Sequence, residues 1–135
     1  DAFAAHDLTP DPALIIDCQW REIRGYEAMR ELLAMPSPPT AVFSANYNMT
    51  LGLLTYLREV GVQVPRDLSI VGFDDVPALR LHNPAVTAVG QPIGEMAEAI
   101  ANIIDTRLAN PAAMGRHDVR IDCSITLRDS ARRIS

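Results

Sequence analysis

Short apolar runs alternate with longer amphipathic stretches along the first half of this chain. The apolar runs at 13–17, 40–44 and 68–73 predict buried strands. Between them, residues 21–35 and 47–60 carry apolar side chains at steps of three and four, which predicts two helices. The order strand, helix, strand, helix, strand is typical of βαβ units with a parallel sheet. The expected fold class is therefore α/β, a three-layer αβα arrangement with a mainly parallel sheet.

After the adjacent carboxylates Asp74 and Asp75, the regular alternation of apolar runs and amphipathic stretches stops. Residues 75–84 are predicted to be irregular, and residues 86–89 to be extended. Pro92 suits the first position of a new helix, which we expect to run to about residue 108. An apolar stripe follows the helical period there: Ile93, Met96, Ala97, Ile100, Ile103, Ile104 and Leu108. Residues 119–127 are predicted to be mostly extended.

Composition restricts the class of protein. The chain has 135 residues, 48% of them hydrophobic, which fits one globular domain, and no apolar run approaches the roughly 20 residues of a membrane helix. Its formal net charge of −5 and scattered basic residues make nucleic-acid binding by this chain alone unexpected. It begins with Asp1 rather than Met, so we expect an upstream segment. Cys18 and Cys123 match no metal motif and are expected to be free buried thiols of a reducing cytoplasm, with a disulfide as the alternative.

Candidate binding residues follow the three predicted strands. Trp20 comes after the first strand, Asn46 after the second and Asp74 after the third. In an open α/β sheet, ligands bind beyond the carboxyl ends of the strands, so these side chains are expected to meet at one edge. An indole packs on the C–H face of a sugar ring, while an amide and a carboxylate hydrogen-bond hydroxyl groups. The pattern predicts a sugar or nucleoside site.

Each candidate also has a structural interpretation. Trp20 could be a core aromatic, Asn46 could only cap the following helix, and Asp74 or Asp75 could hold a turn. The paired carboxylates could instead serve acid–base catalysis. Adjacent residues on extended backbone point in opposite directions, however, and no nucleophile elbow, phosphate loop or metal motif accompanies them. We therefore predict a binding site without a metal or a cofactor, in a protein that is not an enzyme.

Several stretches together resemble the lactose/galactose repressor (LacI/GalR) family. They are P-T-A-V-F-S-A-N at 39–46, M-T-L-G at 49–52, L-R-E-V-G-V-Q-V-P-R-D-L-S-I-V-G-F-D-D at 57–75, N-P-A-V-T-A-V-G-Q-P at 83–92 and S-I-T-L-R-D-S at 124–130. The resemblance covers nearly the whole chain, in order and at the spacing of the family. It is far more specific than a single short motif.

The resemblance implies a fold and a domain organisation. Family members are bacterial transcription regulators, with an N-terminal helix-turn-helix and a two-lobed effector-binding core like that of periplasmic sugar-binding proteins (type I). This chain would be the C-terminal part of that core: 1–90 a lobe, 91–120 a crossover helix segment that packs on the absent first lobe, and 121–135 a returning strand and tail. Without that lobe, we expect the helix to pack on a second copy or on its own lobe in a changed position.

The resemblance also implies roles for individual residues. Trp20 corresponds to the aromatic that stacks on the effector, Asn46 to the Asn of an Asn-Asp pair facing the cleft, and Asp74 to the Asp that hydrogen-bonds effector hydroxyls. Tyr47 stands where the family usually has Asp, which would alter the rim of the pocket. A dimer interface is expected at Thr50, Leu53, Leu54 and Leu81; the alternative is that the leucines are simply core.

These observations predict the effector-binding and dimerisation portion of a cytoplasmic LacI-family repressor. A small ligand, expected to be a sugar or a nucleoside, would control operator DNA binding through the absent N-terminal domain of a homodimer, with no role for a membrane. The alternative is the sugar solute-binding protein of an ABC transporter, which shares the fold. A small α/β enzyme using Asp74 is a third class.

Overall fold

The computed structural model of this protein describes residues 2–110 and 118–133. Two 3-10 turns come first, at Ala4–His6 and Pro12–Leu14. The regular elements that follow are α1 (Glu22–Leu33), β1 (Ala41–Ser44), α2 (Tyr47–Val60), β2 (Ser69–Phe73), α3 (Pro77–Leu81), β3 (Thr87–Gly90), α4 (Ile93–Ala109) and β4 (Ser124–Thr126).

The strands form one sheet in the order β1-β2-β3-β4. β1, β2 and β3 are parallel, with Val42 opposite Ile70 and Val71 opposite Thr87, while β4 pairs antiparallel with β3. The prediction of an α/β fold with a mainly parallel sheet is therefore confirmed. Because the three parallel strands end at the same edge, the residues that follow them are brought close together.

The core lies between the sheet and helices α1 and α2. Its fully or nearly fully buried members are Met29, Leu32, Leu53, Leu54, Leu57, Leu68, Ile70, Leu79, Val86 and Ala88. Two glycines let the helices approach each other closely. A Cβ atom on Gly25 would lie 2.3 Å from the carbonyl oxygen of Met49, and one on Gly52 would lie 1.9 Å from that of Glu22. No other residue has room at either position.

Helix α2 has both of the end signals that the sequence predicted. The side chain of Asn46 accepts hydrogen bonds from the first-turn backbone amides of Asn48 and Met49, as an N-cap does. Gly61 ends the helix in the left-handed conformation, with φ of 74°. The helix begins and ends at the predicted residues.

The prediction of a strand at 13–17 is wrong. Pro12–Leu14 forms a 3-10 turn capped by the Asp11 side chain, and residues 15–18 have no regular structure. A strand needs a neighbour to satisfy its backbone groups, and in the described parts of the chain none pairs with this segment. Ile15 is accordingly exposed. Apolar composition alone was therefore not sufficient to predict a strand in this run.

The segment predicted to be irregular at 75–84 contains the short helix α3. Pro77 occupies the first helical turn, where its missing N–H costs nothing, and Leu79 is completely buried. The amide of Val86 returns to the carbonyl of Leu79 at 2.9 Å, which fixes the helix against the start of β3. One turn of helix is too short to show a period in the sequence.

Helix α4 exposes the apolar stripe that the sequence predicted. None of its residues is buried, and Ile93, Ile100, Ile104 and Leu108 are all more than half exposed. The expectation that it packs on its own lobe is therefore wrong. The alternative that it packs on a second copy remains a prediction. The predicted loop after the helix falls largely in residues 111–117, outside the described residues.

The two cysteines differ in burial. Both are free thiols, as expected, but only Cys18 is buried, and the expectation of burial is wrong for Cys123, which is exposed. Burial raises the pKa of the Cys18 thiol. Among the helices of the described residues, none has the length and apolar character needed to cross a membrane.

Candidate functional site

A groove of about 560 Å³ lies at the edge of the sheet where the parallel strands end. It is lined by Trp20, Phe43, Ala45, Asn46, Phe73, Asp74 and Gln91. The three residues predicted from strand ends are therefore brought together. A smaller hollow of about 370 Å³, beside α2 and the segment after α3, is lined by aliphatic, basic and amide side chains and contains neither a carboxylate nor an aromatic ring of Trp, Tyr or Phe. Only the first has the chemistry that the sequence predicted.

Asp74 lies in a turn directly after β2, with a left-handed backbone at φ of 70°. Its amide donates to the carbonyl of Val89 at 2.9 Å, and its carbonyl accepts from the amide of Val76 at 2.8 Å. A positive φ is unfavourable for a residue with a Cβ, so the surrounding structure must hold it. These bonds do so and leave the carboxylate at the groove.

The carboxylate of Asp74 is held by two side-chain amides. Nε2 of Gln91 donates to Oδ1 at 2.7 Å, and Nδ2 of Asn46 approaches Oδ2 at 3.5 Å. Neither partner is charged, and the groove lining contains no Lys or Arg. Asp74 is thus oriented without being neutralised by an ion pair, and it can accept hydrogen bonds from the hydroxyls of a ligand.

Asn46 performs both of the roles between which its sequence position left a choice. Its Oδ1 caps α2, at 2.9 Å from the amide of Asn48, while its Nδ2 points towards Asp74. The cap fixes which end of the side chain faces the groove. The capping interpretation was correct, and it does not exclude a place in the site.

The sequence reasoning missed Gln91, the one further polar residue of the groove lining, as well as the apolar residues Phe43, Ala45 and Phe73. Gln91 follows Gly90, the last residue of β3. The same argument that selected Trp20, Asn46 and Asp74 from strand ends would have found it, because β3 is the third parallel strand of the sheet. The residue after it, Pro92, was instead interpreted as the start of a helix.

Trp20 lies at the groove but is held by a turn rather than by a strand. Gln19 and Trp20 both have left-handed backbones, and Oδ1 of Asp17 accepts from the amide of Gln19 at 2.9 Å. The indole is 66% exposed, so the interpretation of Trp20 as a core aromatic is wrong. An exposed indole beside a carboxylate has its face free for a ligand ring.

The other predicted contacts are placed differently. Tyr47, the first residue of α2, is about one-third exposed but does not line the groove, since successive helical residues project in different directions. Thr50, Leu53 and Leu54 are at most 5% exposed within this chain. All three are buried within this chain, as the alternative interpretation held for the two leucines, and their burial does not require a partner. Leu81 alone of the four predicted interface residues is exposed, at 85%.

Asp75 does not share the groove with Asp74. Its Oδ2 accepts from Arg128 at 2.8 Å and its Oδ1 from Arg80 at 3.3 Å. The hydrogen bond from Arg128 lowers the pKa of the Asp75 carboxyl, which therefore stays ionised. The two carboxylates have different partners and face different ways, which fits a structural role for Asp75 and offers no acid–base pair. No group of three metal-binding side chains is found in residues 2–110 and 118–133.

Comparisons with known proteins agree with this arrangement. A family model described as a periplasmic binding protein-like domain matches residues 1–131. The chain is 35% identical over 123 residues to the HTH-type transcriptional repressor CytR of Escherichia coli K12, covering 90% of this chain and 36% of that protein. It is 33% identical over 129 residues to the HTH-type transcriptional repressor PurR of Haemophilus influenzae, covering 94% and 38%. The chain thus spans about a third of the length of these relatives.

Solved structures show the same similarity. The transcriptional regulator CelR in complex with cellobiose superposes with a TM-score of 0.83 at 31% identity, covering 96% of this chain and 39% of that one. A LacI family transcriptional regulator from Enterococcus faecium with bound ribose gives a TM-score of 0.84 at 26% identity, covering 99% and 49%. The chain therefore belongs to the periplasmic binding protein-like domain family, and it is similar to part of HTH-type transcriptional repressors and of LacI family transcriptional regulators.

Proposed function

We propose that this chain binds an uncharged sugar or nucleoside in the groove between Trp20 and Asp74, as the sensing part of a transcriptional repressor. The single observation that carries the proposal is the carboxylate of Asp74. It is held by the amides of Gln91 and Asn46 and is not paired with any cation of the groove lining. Such a group binds neighbouring hydroxyls strongly, because hydrogen bonds to a charged acceptor are about twice as strong as neutral ones.

The aromatic side chains of the groove supply the other half of the recognition. Trp20 and Phe43 are both more than half exposed there, and Phe73 lines the same surface. A sugar or a nucleoside has an apolar ring face and polar hydroxyl edges, so it matches an aromatic wall beside a carboxylate. An anionic ligand would be repelled by Asp74. The cellobiose and ribose of the two solved relatives are uncharged sugars, which supports this ligand class.

The proposed mechanism is coupling between two binding events. The ligand closes this lobe against a second lobe, and closure changes the spacing of paired helix-turn-helix domains on operator DNA. DNA affinity then changes only by the preference of the ligand for one of the two states. We propose that the protein acts as a cytoplasmic homodimer, whose two-fold axis matches a palindromic operator. Leu81 is the exposed residue in this chain that would lie in the dimer interface.

The transporter alternative gains no support from the relatives. CytR and PurR are named as transcriptional repressors, and both solved neighbours as transcriptional regulators. The enzyme alternative has no geometric basis either, since the pairing of Asp75 with arginine leaves Asp74 without an acid–base partner among the groove residues. Regulation is the function that the site and the relatives favour together.

The test is ligand binding by the intact protein and by one isosteric variant. Neutral monosaccharides, disaccharides and nucleosides are screened by thermal shift, because a bound ligand raises the melting temperature. The affinity of each hit is measured by calorimetry for the wild type, Asp74→Asn and the control Asp67→Asn. Asp67 precedes β2, at the opposite edge of the sheet. We expect about 10- to 100-fold weaker binding in Asp74→Asn alone, as for loss of a charged hydrogen bond. Equal binding by all three proteins would reject the site.

A further inference from the structure

The turn that carries Asp74 is held by an ion pair from a distant part of the chain. Asp74 has a left-handed backbone, which is uncommon in a non-glycine residue and is held here by the hydrogen bonds of the turn. The next residue, Asp75, is only 14% exposed, and its carboxylate accepts from Arg128, which lies 53 positions further along the chain. The conformation of Asp74 is therefore supported through its neighbour.

Arg128 spans from this turn to the sheet. One guanidinium nitrogen donates to Oδ2 of Asp75 at 2.8 Å, and the other donates to the backbone carbonyl of Val86 at 2.6 Å. The side chain is 15% exposed, so water competes little for these bonds. The pKa of the Arg128 guanidinium is raised by the hydrogen bond to Asp75, and that of Asp75 is lowered, which is consistent with a pair that stays charged.

The backbone of Arg128 is itself fixed on β3. Its amide donates to Oγ1 of Thr87 at 2.9 Å, and the hydroxyl of Thr87 donates to the carbonyl of Arg128 at 3.1 Å. Thr87 is buried in the sheet. Arg80 also contacts Asp75, donating to its backbone carbonyl at 2.8 Å and approaching its carboxylate with Nε at 3.3 Å, but its side chain is 56% exposed, so water competes for both bonds. Arg128 is thus the rigid support of the turn and Arg80 the weaker one.

We propose that Arg128 is a positioning residue for the ligand-binding carboxylate. Its hydrogen bonds to Asp75 and to the carbonyl of Val86 hold Asp74 in its left-handed conformation. Arg128 does not line the groove and would not touch the ligand. The consequence for ligand affinity rests on the proposed function, whereas the consequence for the conformation of the turn does not. Binding at the groove would thereby depend on the hydrogen bonds that the Arg128 side chain makes to Asp75 and Val86.

The variants separate positioning from stability. Arg128→Gln removes the positive charge and both guanidinium hydrogen bonds, whereas Arg128→Lys keeps the positive charge. Ser130→Ala is the matched control, because the hydroxyl of Ser130 joins the same segment to the amide of Thr87 at 2.7 Å and to the carbonyl of Ile70 at 2.6 Å without touching Asp75. It should destabilise the seating of the segment without releasing the turn.

Two measurements on the intact protein decide the matter. Amide hydrogen exchange at Asp74, whose N–H donates to Val89, is expected to accelerate in Arg128→Gln more than in Ser130→Ala, with partial recovery in Arg128→Lys. Ligand affinity should fall about tenfold or more in Arg128→Gln, as it does when outer supporting partners are removed at metal sites. Unchanged exchange at Asp74 in Arg128→Gln overturns the inference, whether or not a ligand has been found. Loss of affinity in Asp74→Asn with full affinity in Arg128→Gln overturns it as well, while retaining the proposed function.

Discussion

Nε2 of Gln91 donates a hydrogen bond of 2.7 Å to Oδ1 of Asp74, joining the ends of two neighbouring parallel strands at the groove. The bond uses one lone-pair direction of the carboxylate and leaves others for a ligand. The side chain of residue 91 therefore decides how the carboxylate of Asp74 is held.

Replacing Gln91 tests this coupling. Gln91→Leu removes the donor, and we expect about 3- to 10-fold weaker ligand binding, as for loss of one ordinary hydrogen bond. Gln91→Glu sets a second carboxylate against Asp74 and should weaken binding further, because like charges disfavour each other at this distance. Calorimetry gives the affinities. Gln63→Leu, altered at the opposite edge of the sheet, is the control, and equal affinity of Gln91→Glu and wild type would contradict the prediction.

Trp20 is the only tryptophan of the chain, so its fluorescence reports directly on the groove. Ligand binding should shift the emission to shorter wavelength, because the indole, now 66% exposed, loses contact with water. Trp20→Ala should weaken binding more than Trp20→Phe, which retains an aromatic face. An emission spectrum that does not change at saturating ligand would place the ligand elsewhere.

The two interhelical glycines should be intolerant of even one methyl group. In Gly52→Ala the new Cβ would lie 1.9 Å from a backbone carbonyl oxygen, so α1 and α2 must separate. We expect a loss of about 3 kcal/mol or more in the free energy of unfolding, measured by urea denaturation. Gly94→Ala is the matched control in α4, where an added Cβ meets nothing within 4 Å, and it should be neutral or slightly stabilising. Similar stability of the two variants would show that the helices are not closely packed.

The ion pair of Asp75 predicts how stability depends on pH. Its pKa is lowered in the folded protein by the hydrogen bond from Arg128, so the unfolded chain binds the proton more readily. The contribution of the pair is fully present above the unfolded pKa of about 3.9 and is lost as the pH falls through the lower folded value. Asp75→Asn should therefore be less stable than wild type at pH 7, with the difference shrinking below pH ~4. A difference independent of pH between 7 and 2.5 would contradict an ionic role.

Local pattern was sufficient where one element carries its own signals. Helix α2 has an N-cap at Asn46, an apolar face and a left-handed Gly61, and its bounds were predicted correctly. The strands 41–44 and 69–73 were found from apolar runs between turn residues. The strand-end argument placed Asn46 and Asp74 at one edge, because parallel strands all end on the same side, whereas Trp20 reaches that edge from a turn.

Only the tertiary structure decided which neighbours complete each element. The run at 13–17 is apolar but pairs with no strand in the described residues, and the apolar residues of α2 are buried within this chain, against α1 and the sheet. The hydrogen bonds from Gln91 to Asp74 and from Arg128 to Asp75 join residues that are 17 and 53 positions apart in the sequence. Periodicity and capping act within a few residues, so the sequence by itself determined the elements and the edge at which the site lies. Hydrogen bonds and burial between distant segments are set by packing, and packing decided which side chains hold the carboxylate in place.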